Sequence, residues 1–549
     1  MNLRILLIIV FILNLVQGIF TPIIDDEAYY WLWSTKLDFG YFDHPPMIAL
    51  WIALSDFIFN GEIGARFFTV LFNTITVYLF WKIVEPKTKK EIKLFTIIYF
   101  SLLLVQVFSF VSTPDASLLF FTVSYLYVLK NYIKNQAFRW TALLGICFAG
   151  LMYSKYHGVL VLAFTLLPIL TFLIKKQTFY IAVLFSLLLY SPHLFWLYQN
   201  DFPPISYHFI DRSAEQKFSF TQPLIYILTA ILSAAGLLFI YIGKALVDVN
   251  KSDLFQKSVF WLVVGPFLFF LISTIKDTTQ AQWLLISYIG LGLLLYWYIR
   301  KQENTKQFEI LGFSTIGLMI VGRIIITIPY FSPFYETKTF GELSGELSHT
   351  KIVAFEKYQE ASIFQFYNQD RQGVVYRTLG NRHSQFSLWD TENLLNKPFT
   401  YITPWKESML SFEGLKKKQF YINIIDNYKP IHHTEALFLE IEDNELELKY
   451  NVPSRIKIQL NNIDIDLLKK EKVKLSLFIT EDQQYYIVEE INVPMNNWTN
   501  PYEQKDGFVF EFNYQPRLTP GEYKAFIGLT PDGLIPKYQS KSLKIIVTE

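Results

Sequence analysis

Residues 3–33 read LRILLIIVFILNLVQGIFTPIIDDEAYYWLW. The run from residue 3 to residue 20 carries one charge, Arg4, and is long enough as a helix to cross the hydrocarbon core of a bilayer. It stops at Thr21-Pro22, and three consecutive acids, Asp25, Asp26 and Glu27, follow almost at once. A cleaved secretory signal would end on small residues. Thr21, Pro22 and Ile23 do not supply them, so the run is expected to remain as a first span.

Apolar runs separated by short polar breaks continue to about Pro329, after which the sequence turns mixed and charged. Of the 549 residues 52% are hydrophobic and 18% aromatic, and that richness is concentrated before Pro329. A single soluble globule is thereby excluded, and a polytopic membrane protein with a soluble tail is expected. The 49 Lys and Arg balance 48 Asp and Glu to a net charge of +1 with no basic face, which excludes nucleic acid as a partner. Cys147 is the only cysteine, so the spacing supports no disulfide, thiolate metal site or cysteine nucleophile.

Further spans are expected at 64–84, 93–111, 114–133, 139–154, 156–174, 179–198, 222–243, 257–275, 281–299 and 308–329, eleven in all. The stretch 47–59 is apolar but too short to cross and is expected along the interface. Loops after even-numbered spans hold Lys87, Lys89 and Lys90; Lys130, Lys134 and Arg139; Lys175 and Lys176; Lys244, Lys251 and Lys257; and Arg300, Lys301 and Lys306. Loops after odd-numbered spans are acidic or mixed, with Asp25 to Glu27, Asp115, Asp201, Asp211 with Arg212, and Lys276 with Asp277. Five alternations agree, so the N-terminus is expected in the cytoplasm and the tail after Phe331 outside the cytoplasmic membrane.

On that map the unusual polar residues share one side. Asp25, Asp26, Glu27, Asp43 and His44 fall in the first outer loop, Asp115 opens the fourth span, and Lys155 with His157 sit at the next outer turn. His193, the Gln282-Trp283 pair and Arg323 lie within a turn or two of the outer ends of their spans. Ionisable groups at membrane depth are costly and usually mark a site. A transporter would set them near the midplane in repeated halves, whereas here they gather at the outer face without an internal repeat. In the first outer loop Ala28, Trp31, Leu32 and Thr35 share one helical face, and the aromatics predict a short helix in the headgroup region. Asp26 and Glu27 at its N-terminus would be held ionised by the helix dipole, although one acid there also suits a plain N-cap. A carboxylate beside the bilayer, near Lys, His and Arg, fits group transfer: a base for an incoming hydroxyl, and cations for a leaving phosphate. Outside the cytoplasmic membrane that phosphate is expected on a polyprenyl carrier, and no glycine-rich phosphate loop is present.

The run Asp26-Glu27-Ala28-Tyr29-Tyr30-Trp31, followed by Tyr41-Phe42-Asp43-His44-Pro45-Pro46, resembles bacterial members of the C-type (GT-C) glycosyltransferase superfamily. That branch groups with the dolichyl-phosphate-mannose protein mannosyltransferases and the lipid A aminoarabinose transferase. Thr113-Pro114-Asp115, Ser154-Lys155-Tyr156 and Ser191-Pro192-His193 resemble further family motifs in order, Gln282-Trp283 matches loosely, and a weak likeness extends to Tyr358-Gln359-Glu360-Ala361-Ser362. The resemblance implies inverting transfer of one sugar from a polyprenyl-phosphate donor to a lipid, glycan or protein acceptor. It makes Asp26 the base, Glu27 the neighbour that positions it, and Asp115 a supporting acid from another helix. His44 stands where the aminoarabinose transferase has a lysine thought to contact phosphate, which leaves phosphate, a metal or the loop itself as its partner. Lys155 is then the first candidate for the phosphate and Arg323 the second, with His157 and Trp283 beside the substrate. Some relatives use a divalent cation and others do not, and Asp43 with His44 would form part of such a site.

Three regions are therefore expected: a GT-C-like membrane domain over 1–330, a small α/β region over 331–430 and a β-sandwich over 431–549. Strands are expected at 352–355 and 374–376 around a helix at 359–367, and eight more between 437 and 547. The sandwich suits an acceptor glycan, a partner or a spacer equally, and Asn497-Trp498-Thr499 has the form of a glycosylation acceptor. Two other functions share this topology. A lipid-linked-glycan flippase would move its cargo without making a bond, and a membrane anchor would leave the binding to the tail.

Overall fold

The computed structural model describes residues 2–206, 221–275, 279–376, 382–405, 408–426, 445–461, 474–481, 484–493, 507–530, 534, 537–538 and 543–549. Asp211, Arg212, Lys276, Asp277, the strand expected at 437–441 and Asn497-Trp498-Thr499 lie outside the described residues. The chain divides into two compact units, Met1–Lys338 and Thr339–Glu549.

The first unit is a helix bundle. Its helices run α1 (Leu3–Phe20), α2 (Asp25–Ser34), α3 (Met47–Asp56), α4 (Gly61–Val84), α5 (Lys89–Ser101), α6 (Leu103–Val107), α7 (Pro114–Lys134) and α8 (Phe138–Ser154). They continue with α9 (Gly158–Leu166), α10 (Leu170–Leu173), α11 (Gln177–Gln199), α12 (Pro203–Ser206), α13 (Thr221–Ala235) and α14 (Ile242–Val247). After α15 (Leu254–Ser273) come α16 (Leu285–Ile299) and α17 (Lys306–Ile325), and α18 (Pro333–Glu346) spans the division between the units. Among the described residues eight segments are long and apolar enough to cross a membrane: α1, α4, α7, α11, Thr221–Val247, α15, Ala281–Ile299 and α17. The broken pair α5–α6, the shorter α8 and Gly158–Leu173 lie where the other spans are expected. The chain is a multi-pass membrane protein. The break at Leu102 is bridged by Gln106, whose Nε2 donates to the Tyr99 carbonyl at 2.8 Å.

Burial sorts the helices. Ala281–Ile299 is 78% enclosed and forms the centre, whereas α1, α11 and α17 are 28% enclosed. The outward residues of the last three are large and apolar, among them Ile8, Ile12, Leu184, Leu188 and Leu318. An apolar girdle of that extent is stable in lipid and not in water.

The second unit begins as an α/β sheet. β1 (Ile352–Phe355), helix α19 (Tyr358–Tyr367), β2 (Gln372–Val375), β3 (Phe399–Thr403), β4 (Ser411–Glu413) and β5 (Gln419–Ile425) give the order β2-β1-β3-β5-β4. β1 lies parallel to both β2 and β3, and β5 runs antiparallel to β3 and β4. The remaining strands are β6 (Glu445–Lys449), β7 (Ser454–Asn461), β8 (Lys474–Glu481), β9 (Gln484–Val493), β10 (Gly507–Tyr514), β11 (Gly521–Thr530), β12 (Lys537–Tyr538) and β13 (Leu543–Thr548). They form a β6-β13-β11-β8-β9 sheet with β12 on β11, and a separate β10-β7 pair. All those pairings are antiparallel except β13 with β6.

Candidate active site at one end of the helix bundle

The three acids open α2, and the fold separates them. Asp25 and Asp26 are exposed, while Glu27 is fully buried. Ile24 is the N-cap residue, and its N–H donates back to Glu27 Oε2 at 3.3 Å, so the capping role falls to Glu27 rather than to Asp25 or Asp26. Glu27 is held by Arg66 of α4, whose Nε reaches Oε1 at 2.8 Å and whose Nη2 pairs with Oε2. The Ser112 amide adds a bond to Glu27 Oε1 at 2.6 Å. Arg66 also donates to the carbonyls of Gly18 at 3.0 Å, Pro22 at 3.1 Å and Thr21. One fully buried ion pair thus ties the end of α1, the start of α2, the start of α4 and the strand of chain before α7. Arg66 did not enter the sequence reading. A single arginine inside the apolar run 64–84 was the available signal.

Asp115 and Lys155 meet as a second pair. Pro114 takes the first position of α7, where its missing N–H costs nothing, and puts Asp115 in the first turn. Lys155 follows the last residue of α8 in extended conformation and donates to both Asp115 oxygens, at 2.9 and 2.8 Å, with both side chains buried. Two of its three ammonium hydrogens are thereby used.

The loop 35–46 is tied down from α11. Pro192 cannot bond the Leu188 carbonyl one turn back, and the Ser191 hydroxyl does so instead at 2.8 Å. His193, fully buried, then reaches the Phe39 carbonyl through Nδ1 at 2.6 Å and the Tyr156 hydroxyl through Nε2 at 3.2 Å. Trp196 Nε1 donates to Asp38 Oδ2 at 2.9 Å, and its ring closes over Gly40, where a β-carbon would stand 2.3 Å from Cε3. Asp43 is buried and accepts the Tyr29 hydroxyl at 3.1 Å. Tyr29 thus ties α2 to Asp43 of the loop, and the Ser112 amide ties Glu27 at the start of α2 to the chain before α7.

The headgroup helix expected for the first loop is packed on all sides. Every residue of α2 from Glu27 to Ser34 is buried. Trp33 stacks on Tyr41 at 4.5 Å between ring centroids, and Tyr29 and Tyr30 meet Trp33 edge-on at 4.9 Å. The aromatics that suggested a membrane interface instead fill a miniature core under loop 35–46.

The other expected residues divide into two places. His44 is half-buried, with its ring 6.2 Å from that of Tyr30. Among the described residues no group of three or more His, Cys, Asp and Glu gathers to hold a metal. Asp43 accepts a hydrogen bond from the Tyr29 hydroxyl. His157 caps the start of α9 and lies 5.5 Å from the Trp283 ring and 5.6 Å from that of Phe270. Arg323 sits apart from these, buried among Asn14, Gln106 and Ser109, to which its Nη2 donates at 2.9, 2.9 and 3.1 Å. Its Nε and Nη1 make no hydrogen bond among the described residues. It shares the ring of Phe110 with Arg66, at 5.3 and 5.9 Å from the centroid.

Comparison with known proteins supports the resemblance. Residues 43–196 match the family described as dolichyl-phosphate-mannose-protein mannosyltransferase, a segment that holds Asp43, His44, Asp115, Lys155, His157 and His193 and begins after Glu27. Over 286 residues the chain is 24% identical to the lipid A galacturonosyltransferase RgtD of Rhizobium johnstonii, covering 50% of this chain. The chain spans 60% of that relative's length. In structure it resembles ArnT from Cupriavidus metallidurans in the apo state, with a TM-score of 0.58 and 11% identity over 77% of this chain and 97% of that one. The same protein bound to undecaprenyl phosphate gives a TM-score of 0.55 at 10% identity, with the same coverage. The chain therefore has an ArnT-like fold.

Proposed function

We propose that this chain is an integral-membrane glycosyltransferase. In this reading it moves a single sugar, a hexose or a pentose, from a polyprenyl-phosphate donor to a lipid, glycan or protein acceptor outside the cytoplasmic membrane, with inversion. The observation that carries it is the division of labour at the start of α2, where Glu27 is locked by Arg66 and leaves Asp26 exposed on a fixed backbone. A structural relative with undecaprenyl phosphate bound and a relative named as a galacturonosyltransferase support the donor and the reaction class. The lysine bias of the alternate loops supports a cytoplasmic N-terminus and an acidic end outside.

In the proposed step the acceptor O–H gives its proton to the Asp26 carboxylate. The oxygen forms a bond to the anomeric carbon on the face opposite the phosphate. The carbon–oxygen bond to phosphate breaks with its electron pair, and polyprenyl phosphate departs. The third ammonium hydrogen of Lys155 is the first candidate to meet that phosphate, and His44 and Arg323 are the others.

Replacing Asp26→Asn keeps size and removes the base. Transfer by correctly inserted protein is expected to fall by about 10²–10⁴-fold, the usual share of a general base. Transfer at the normal rate would sink the mechanism. Movement of lipid-linked sugar without a new glycosidic bond, tolerant of this replacement, would favour a flippase instead.

A further inference from the structure

Residues 112–115 connect the two ion pairs of the site. The Ser112 amide bonds Glu27, and Asp115 takes Lys155. Between them Thr113 is the N-cap residue of α7, in extended conformation with φ of −129° and ψ of 165°. A threonine in this position ordinarily turns its hydroxyl onto an amide of the first helical turn. Thr113 does not. Its side chain makes no capping bond, and the Ala116 amide goes to the Thr113 carbonyl at 2.9 Å instead. Thr113 is 7% exposed, and its Oγ1 bonds no group among the described residues. A buried hydroxyl left without a partner is destabilising, and a ligand that bonds it recovers the loss.

The other donors at this end of α7 indicate the charge of that ligand. The helix is 21 residues long, so its N-terminus carries a positive dipole end. Pro114 brings no N–H, and the Asp115 amide, at the second helical position, has no carbonyl within the helix to bond. Lys155 spends two ammonium hydrogens on Asp115, neutralises it, and keeps a third. A hydroxyl, an amide and an ammonium thus gather at the positive end of one long helix, an arrangement suited to a phosphate. We propose that Thr113 and the first turn of α7, together with Lys155, hold the phosphate of the polyprenyl carrier. The proposal rests on the glycosyl-transfer reading and adds to it the groups that receive the departing phosphate. Asp26 adjoins Glu27, which the Ser112 amide fixes, so one short stretch of chain sets both the base and the cradle.

The test titrates undecaprenyl phosphate against the full chain in detergent micelles, with bound lipid read by native mass spectrometry. Undecaprenol is the probe without phosphate. Thr113→Val removes the hydroxyl and keeps the branched shape, and Thr113→Ser restores the hydroxyl. Thr113→Val is expected to lose about ten- to hundredfold in affinity for undecaprenyl phosphate, the share of one hydrogen bond to a charged group. Its binding of undecaprenol should be unchanged, and Thr113→Ser should bind both lipids as the unsubstituted chain does. Full affinity of Thr113→Val for undecaprenyl phosphate overturns the cradle and leaves the glycosyl-transfer reading standing. A parallel loss for undecaprenol also overturns it, since the hydroxyl would then support the fold and not the phosphate. An unsubstituted chain that does not prefer undecaprenyl phosphate to undecaprenol removes the glycosyl-transfer reading, and the cradle with it. Displacement by phosphatidic acid as readily as by undecaprenyl phosphate would make a membrane phospholipid the occupant and overturn the assignment to the carrier. An unchanged thermal transition verifies that each variant is folded, and Thr113→Ala replaces a valine variant that is not.

Discussion

At the scale of single residues, three adjacent acids have two roles, and burial assigns them. Glu27 is fully buried, and Arg66 and two amides bond its carboxylate. Removing one partner leaves the other charge buried and uncompensated, so Arg66→Leu and Glu27→Leu are each expected to cost about 3–5 kcal/mol. The joint replacement should cost clearly less than the sum, as read from thermal inactivation midpoints of purified protein. Additive losses would show that the two are not coupled. Asp26, Glu27, Asp115 and Lys155 were all legible as single residues, because ionisable groups stand out in apolar sequence. Their pairing was not, since Asp115 and Lys155 are 40 positions apart and Glu27 and Arg66 are 39 apart.

At the scale of elements, the first outer loop shows how a local pattern is overruled by packing. Its aromatic run reads as a helix lying in headgroups. Loop 35–46 folds back over that helix because Tyr41 stacks on Trp33 and His193 and Trp196 anchor residues 38–40 to α11. Gly40 makes the closure feasible, having no β-carbon to meet the indole. Gly40→Ala should therefore lift the loop, lower stability by about 1–3 kcal/mol as an overpacked contact does, and slow transfer more than it weakens donor binding. A full-rate Gly40→Ala variant would show that the loop does not position the site. The Ser191-Pro192-His193 sequence was readable as a motif. Its mechanics, a proline that frees a carbonyl, a serine that satisfies it and a histidine turned to the loop, required the helix to be seen in place.

At the scale of the whole molecule, the two units obey different physics. In the second unit Glu356 and Glu360 are buried together at the carboxyl end of β1, with Glu356 accepting from Tyr401 at 3.3 Å and from Thr403. Burial, and then the charge of Glu356, push Glu360 up to about 8. A carboxyl whose folded value is raised binds its proton more tightly in the native state. Its contribution is complete below the unfolded value near 4.5 and is lost as pH rises toward 8. The unfolding transition of this unit should weaken across that window by at most about 1.4 kcal/mol per pH unit. Glu360→Gln should flatten the dependence, and an unchanged slope would remove Glu360 as its source. In the first unit, hydropathy alone located the crossings, because lipid demands long apolar helices and tolerates no other exposed backbone. The amino-acid sequence by itself thus determined the membrane class and the positions of the long apolar helices. Only the tertiary structure decided which acid is locked and which is left exposed. Burial and ion pairing depend on helices brought together from distant parts of the chain, and no local pattern encodes that meeting.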